Sequence, residues 1–120
     1  MWQQKTYIAF ERRIKKWPKK YNRELKAMLC NYETVVEALN LGTKLEHIKY
    51  GFIHREPKGI WGIDQKGAGS GTTQARLYVF PERESELLHV LTVGTKPTQV
   101  ADIRHCVRAV EELVASVRSE

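Results

Sequence analysis

Between residues 48 and 94 the chain runs through four short apolar segments, and no connection between them is long enough to carry a crossover helix. The segments are Ile48 to Glu56, Gly59 to Gln65, Ala75 to Pro81 and Leu87 to Gly94, all rich in Ile, Val, Phe, Tyr and Trp. Turn formers divide them: Pro57-Lys58-Gly59, a glycine-rich stretch, and Glu82 to Glu86. An antiparallel meander is the simplest assembly under that constraint.

The flanks read as helices. Tyr7, Phe10, Ile14 and Trp17 recur at helical spacing, and Pro18 disfavours helical geometry at Trp17. The stripe resumes with Tyr21, Leu25, Met28, Leu29, Tyr32, Val35, Val36 and Leu39, and Gly42 follows where a left-handed cap fits. Pro97 opens a last helix with Val100, Ile103, Cys106, Val107, Val110, Leu113, Val114 and Val117 on one face. The expected fold is therefore α+β. An N-terminal helical hairpin (about residues 6–41) packs on an antiparallel sheet of about four strands (about 48–94), followed by a C-terminal helix (about 97–118).

A chain of 120 residues supports one core, so a single domain over residues 1–120 is expected. Its apolar share of 42% and charged share of 28% are ordinary for a soluble protein, and no apolar run approaches a bilayer span. Met1-Trp2-Gln3-Gln4-Lys5 lacks the apolar stretch of a secretory signal, which predicts a cytoplasmic location. Cys30 and Cys106 fall on apolar helix faces and read as buried thiols rather than a bridge. Without a CxxC or a close histidine pair, no metal site is expected.

Charge is distributed unevenly. Residues 1–60 hold 13 Lys+Arg against 6 Asp+Glu (+7), and residues 61–120 hold 7 against 8 (−1), so the net +6 is entirely N-terminal. Arg12, Arg13, Lys15, Lys16, Lys19, Lys20, Arg23 and Lys26 crowd together with Glu24 as the only acid among them. That density suits a polyphosphate partner, and its rival reading is a solvated helical face.

Three groups of residues could carry chemistry. The run Lys66-Gly67-Ala68-Gly69-Ser70-Gly71-Thr72-Thr73 lacks the lysine after its final glycine and leads into a strand, so it reads as a mobile loop and not a phosphate cradle. His54, His89 and His105 could move protons near neutral pH. His89 and His105 sit among apolar residues and read as packed or surface histidines, whereas His54 stands beside Arg55 at a strand end. Arg76, Tyr78 and Phe80 alternate on one face of a strand, a pattern able to stack bases and bind phosphate together. The rival reading has Tyr78 and Phe80 filling the core.

The segment Ala75-Arg76-Leu77-Tyr78-Val79-Phe80, then Leu88 to Lys96, then Thr98-Gln99 and Asp102-Ile103, resembles the C-terminal half of the RelE/ParE toxin superfamily, near its HigB and addiction-module-killer branch. The order of helical hairpin, meander and final helix is similar as well. The resemblance implies the toxin of a type II toxin-antitoxin module, a metal-independent, ribosome-associated endoribonuclease that cuts messenger RNA and is neutralised by a cognate antitoxin. It implies no cofactor, no membrane partner and no small-molecule substrate. By matching position, Arg76 and Lys96 would stabilise the transition state, where fixed cations offset charge building on phosphorus. Family nucleases often place a tyrosine or histidine near the C-terminus for proton transfer. No tyrosine follows Tyr78 here, so His105 or His54 would take that role. Because the superfamily also contains gyrase inhibitors, the alternative is a non-catalytic protein of this fold that inhibits gyrase or binds nucleic acid.

Overall fold

The computed structural model describes the backbone of residues 1–118 and the side chains of residues 1–116. In chain order the elements are β1 (Gln3–Thr6), α1 (Ile8–Ile14), α2 (Trp17–Lys20), α3 (Asn22–Asn40), β2 (Ile53–Arg55), β3 (Trp61–Asp64), β4 (Ala75–Glu82), β5 (Leu87–Thr95) and α4 (Gln99–Arg118). The strands β2 to β5 form the expected antiparallel meander, but the sheet is five-stranded and mixed, in the order β1-β5-β4-β3-β2. The extra strand β1 pairs parallel to β5, with Gln3 opposite Leu87 and Thr6 opposite Val90. Its four residues are polar and exposed, so no apolar alternation announces it. Main-chain bonds hold its two ends, from Gln3 N–H to the Glu86 carbonyl at 2.9 Å and from Tyr7 N–H to the Val90 carbonyl at 3.0 Å.

The helical hairpin also differs from expectation. Its first arm breaks after Ile14 and restarts as the single turn α2, with Pro18 in the first turn, where a missing N–H costs nothing. On α3 most of the predicted stripe packs inward: Met28, Tyr32, Val35 and Leu39 are buried and Tyr21, Leu25 and Val36 partly so, while Leu29 is exposed. Gly42 closes it at φ +83°, with its own N–H on the Leu39 carbonyl and Thr43 N–H on the Ala38 carbonyl. The strand expected over residues 48–56 shrinks to Ile53–Arg55, preceded by a 3-10 turn at Leu45–His47, because this edge of the sheet has only β3 to pair with.

Alternation along β4 divides the core in two. Leu77 and Val79 join Trp17, Met28 and Leu39 on the α2–α3 face, while Tyr78 joins Ile60, Leu91, Cys106 and Val110 under α4. A bulge opposite Tyr78 and Val79 inserts Leu91 into β5 and turns it toward α4. Each fully buried aliphatic side chain contributes roughly 1.5–3 kcal/mol. Val100 is 66% exposed at the start of α4 despite its place on the predicted stripe, and Val117 lies outside the described side chains. No helix among the described residues is long and apolar enough to cross a membrane.

The two cysteines part company. Cys106 is buried as expected, but Cys30 is exposed, because the α3 stripe is narrower than its apolar composition and leaves Leu29 and Cys30 outside. Burial pushes the Cys106 thiol up to about 12, and the Asp102 charge acts in the same direction. The folded protein should therefore react with a thiol reagent at Cys30 alone near neutral pH, and at both cysteines once denatured. Equal rates at the two thiols in the native state would contradict this packing.

Candidate functional site

The α4 face of the sheet is covered by helix toward the β4–β5 turn and open where β5 ends. Residues His54, Gly62, Asp64, Arg76, Tyr78 and Gly94 share this face through the register His54 to Gly62, Gly62 to Tyr78, Asp64 to Arg76 and Arg76 to Gly94. A cleft of about 100 Å³ opens there, with His54, Asp64, Arg76, Tyr78, Lys96 and Gln99 among its walls. That is room for several waters, or for a phosphoryl group.

Of the residues singled out in the sequence, Arg76, Lys96 and His54, expected as catalytic, and Tyr78, expected to bind nucleic acid, lie together in the cleft wall. His105 does not join them: it lies in the second turn of α4, half-buried, and is not part of the cleft wall. A helix presents only its first turn to the end of the sheet it docks on, so Gln99 reaches the cleft and His105 does not. The partners of the site residues were not foreseen. His54 Nε2 lies 2.6 Å from Asp64 Oδ2, and the other carboxylate oxygen accepts the Lys66 N–H at 2.8 Å. An Nε2–H donating to Asp64 leaves Nδ1 as the basic atom of the ring. Arg76 Nη1 donates to Glu56 Oε2 at 2.9 Å, with the Glu56 side chain only 9% exposed. Gly62 makes that contact possible, since a Cβ there would come within 3.1 Å of both Arg76 Cδ and Glu56 Oε2. Lys96 is exposed and has no ion-pair partner among the described residues.

Behind the cleft a buried carboxylate fixes the turn that carries Lys96. Asp102, 2% exposed, accepts from Arg13 Nη1 at 2.7 Å and from Thr98 Oγ1 at 2.7 Å, and Arg13 also donates to the Val93 carbonyl at 2.9 Å. Arg13 is therefore spent on tying α1 to β5 and α4. The other basic residues of the hairpin, Arg12, Lys15, Lys16, Lys19, Lys20, Arg23 and Lys26, are exposed.

The glycine-rich loop is tethered rather than free. Arg23 donates to the Ser70 carbonyl, Glu24 accepts the Thr73 N–H, and Asn31 donates to the Asp64 and Lys66 carbonyls. Its positive-φ glycines, Gly67, Gly69 and Gly71, let the chain turn between those anchors. Through this loop and through Arg13, the basic hairpin touches both segments that bear the cleft.

His89 lies elsewhere, 1% exposed. It accepts from the Tyr7 hydroxyl at Nδ1 (2.8 Å), and its Nε2 donates to Glu82 Oε1 (2.9 Å). Hydrogen bonds from Ser85 and then from His89 hold the Glu82 carboxyl below its usual range. This chain of bonds joins the start of α1 to the β4–β5 turn and is structural, as expected of a packed histidine. Among the described residues no group of three or more His, Cys, Asp or Glu side chains is placed to hold a metal ion. In comparisons with known proteins, no family model, no curated protein and no solved structure matches this chain.

Proposed function

We propose that the chain is an endoribonuclease of the RelE/ParE toxin type, acting on messenger RNA at the ribosome in the cytoplasm and held in check by a cognate antitoxin. The observation that carries this reading is the convergence of an oriented histidine, His54 on Asp64, with two cations, Arg76 and Lys96, in one cleft of phosphoryl size. In the proposed reaction, His54 Nδ1 takes the proton from a ribose 2′-hydroxyl, whose oxygen attacks the adjacent phosphorus. The 5′-oxygen leaves with a proton from solvent, giving a 2′,3′-cyclic phosphate and a 5′-hydroxyl. Arg76 and Lys96 offset the charge that builds on the phosphoryl oxygens. The exposed cations of α1, α2 and α3 hold the flanking strand, sequence-independently and with strong salt dependence.

The test is primer extension on total RNA after induction of the wild-type chain and of Lys96→Ala. New 5′ ends are expected with the wild type and a loss of about a hundredfold with the variant, the usual scale for one charge-stabilising group. Growth arrest without new ends would favour the non-catalytic alternative, a gyrase inhibitor or plain nucleic-acid binder, for which the basic hairpin alone would suffice.

A further inference from the structure

Tyr78 is the most buried tyrosine of the fold, 1% exposed, yet it forms part of the cleft wall. Its ring is fixed among Ile60, Leu91, Cys106 and Val110. The two other tyrosines with polar partners spend their hydroxyls on the protein: Tyr7 donates to His89 and Tyr32 donates to Gln4. Among the described residues the Tyr78 hydroxyl has no hydrogen-bond partner, although Arg76, Glu56 and Asp102 are near enough to act on it electrostatically. The one buried side-chain oxygen or nitrogen without a partner among the described residues is Thr92 Oγ1, so the Tyr78 hydroxyl, also unpaired, keeps contact with solvent although its ring is buried. With the ring held by its four apolar neighbours, the hydroxyl has the cleft left to face.

We propose that Tyr78 is a phosphoryl-binding residue, its hydroxyl donating from the floor of the cleft to a non-bridging oxygen held between Arg76 and Lys96. This rests on the reading of the cleft as a phosphodiester site and adds a third contact to it. Burial raises the Tyr78 pKa well above the ordinary phenol range, and Asp102 and Glu56 act the same way, so the group stays protonated and keeps an O–H to donate. Asp102 is paired with Arg13, Glu56 takes one N–H of Arg76 and leaves that guanidinium further donors, and Asp64 in the cleft wall is paired with His54. A donor aimed at an anion in a sheltered site makes the stronger kind of hydrogen bond.

The experiment titrates inorganic phosphate into the full chain carrying carbon-13 at the tyrosine Cζ positions, in the wild type and in Tyr78→Phe. Of the five tyrosine resonances, that of Tyr78 should move most, and Tyr78→Phe should weaken phosphate binding about tenfold or more without lowering the melting temperature. Unchanged phosphate affinity in the variant overturns the proposal. So does unfolding of Tyr78→Phe, which would reveal a protein partner for the hydroxyl. Phosphate bound at Tyr78 without any RNA cleavage by the wild type would keep this subsite and remove the nuclease reading. Cleavage by Tyr78→Phe at the wild-type rate would remove the subsite and keep the nuclease.

Discussion

Replacing His54 by alanine should lower RNA cleavage by about two to four orders of magnitude, the range that one positioned general base supplies. The fold should survive, because the His54 and Asp64 side chains are 33% and 21% exposed and their pairing resembles a surface contact worth about 0–1 kcal/mol. Asp64→Asn should fall between wild type and His54→Ala. The asparagine can still hold the ring but can offer it an N–H, which favours the wrong tautomer and leaves no anion to stabilise the imidazolium. If His54→Ala cut RNA at the wild-type rate, the proton would be moved by another group, and His105 would return as a candidate despite its distance from the cleft wall.

The second large effect is on stability. Gly94→Ala places a Cβ 2.0 Å from Asp102 Oδ2 and 2.8 Å from Thr98 Oγ1. Asp102 cannot swing aside, being buried and held on both oxygens by Arg13 and Thr98. Either β5 shifts at its last residues or the ion pair opens and leaves a buried charge. Overpacking costs about 1–3 kcal/mol and a broken buried pair about 3–5 kcal/mol. The variant should lose about 3–5 kcal/mol, a large part of the stability of an ordinary domain, and melt lower by about 10 °C or more. Adding Asp102→Ala should recover part of the loss, because it removes the atom struck while Arg13, with a side chain 44% exposed, returns to solvent. A Gly94→Ala protein that melts with the wild type would mean that Asp102 is not locked against β5.

What sequence could and could not reveal follows from which signals are local. The meander of β2 to β5 was legible because its turns are short and its faces alternate. Tyr78 and Phe80 fall on one side and Leu77 and Val79 on the other, as their spacing requires. The strand β1 was not legible, because Gln3 to Thr6 are all polar and are held by main-chain pairing to β5, far away in the sequence. Arg76, Lys96 and His54 were legible as candidate catalytic residues and Tyr78 as a nucleic-acid-binding one, but neither the meeting of all four in one cleft nor their carboxylate partners was. Asp64 and Glu56 become partners only through the cross-strand register. Fixing the Pro57-Lys58-Gly59 turn would have put His54, Gly62 and Asp64 on one face and exposed the pairing. Gly62 and Gly94 gave no sequence hint of their roles, since each is needed only for the side chain that lies over it. Cys30 shows the converse error, an apolar-looking position left outside because the buried stripe of α3 is a single row.

The most direct measurement compares cleavage of a ribosome-bound messenger RNA with that of the same RNA carrying one 2′-deoxynucleotide at the scissile position. If His54 activates the 2′-hydroxyl beside Arg76 and Lys96, the all-ribose message is cut to a 2′,3′-cyclic phosphate and a 5′-hydroxyl, and the single deoxy substitution abolishes the cut. Equal cleavage of both messages would contradict that chemistry and with it the assignment of this cleft.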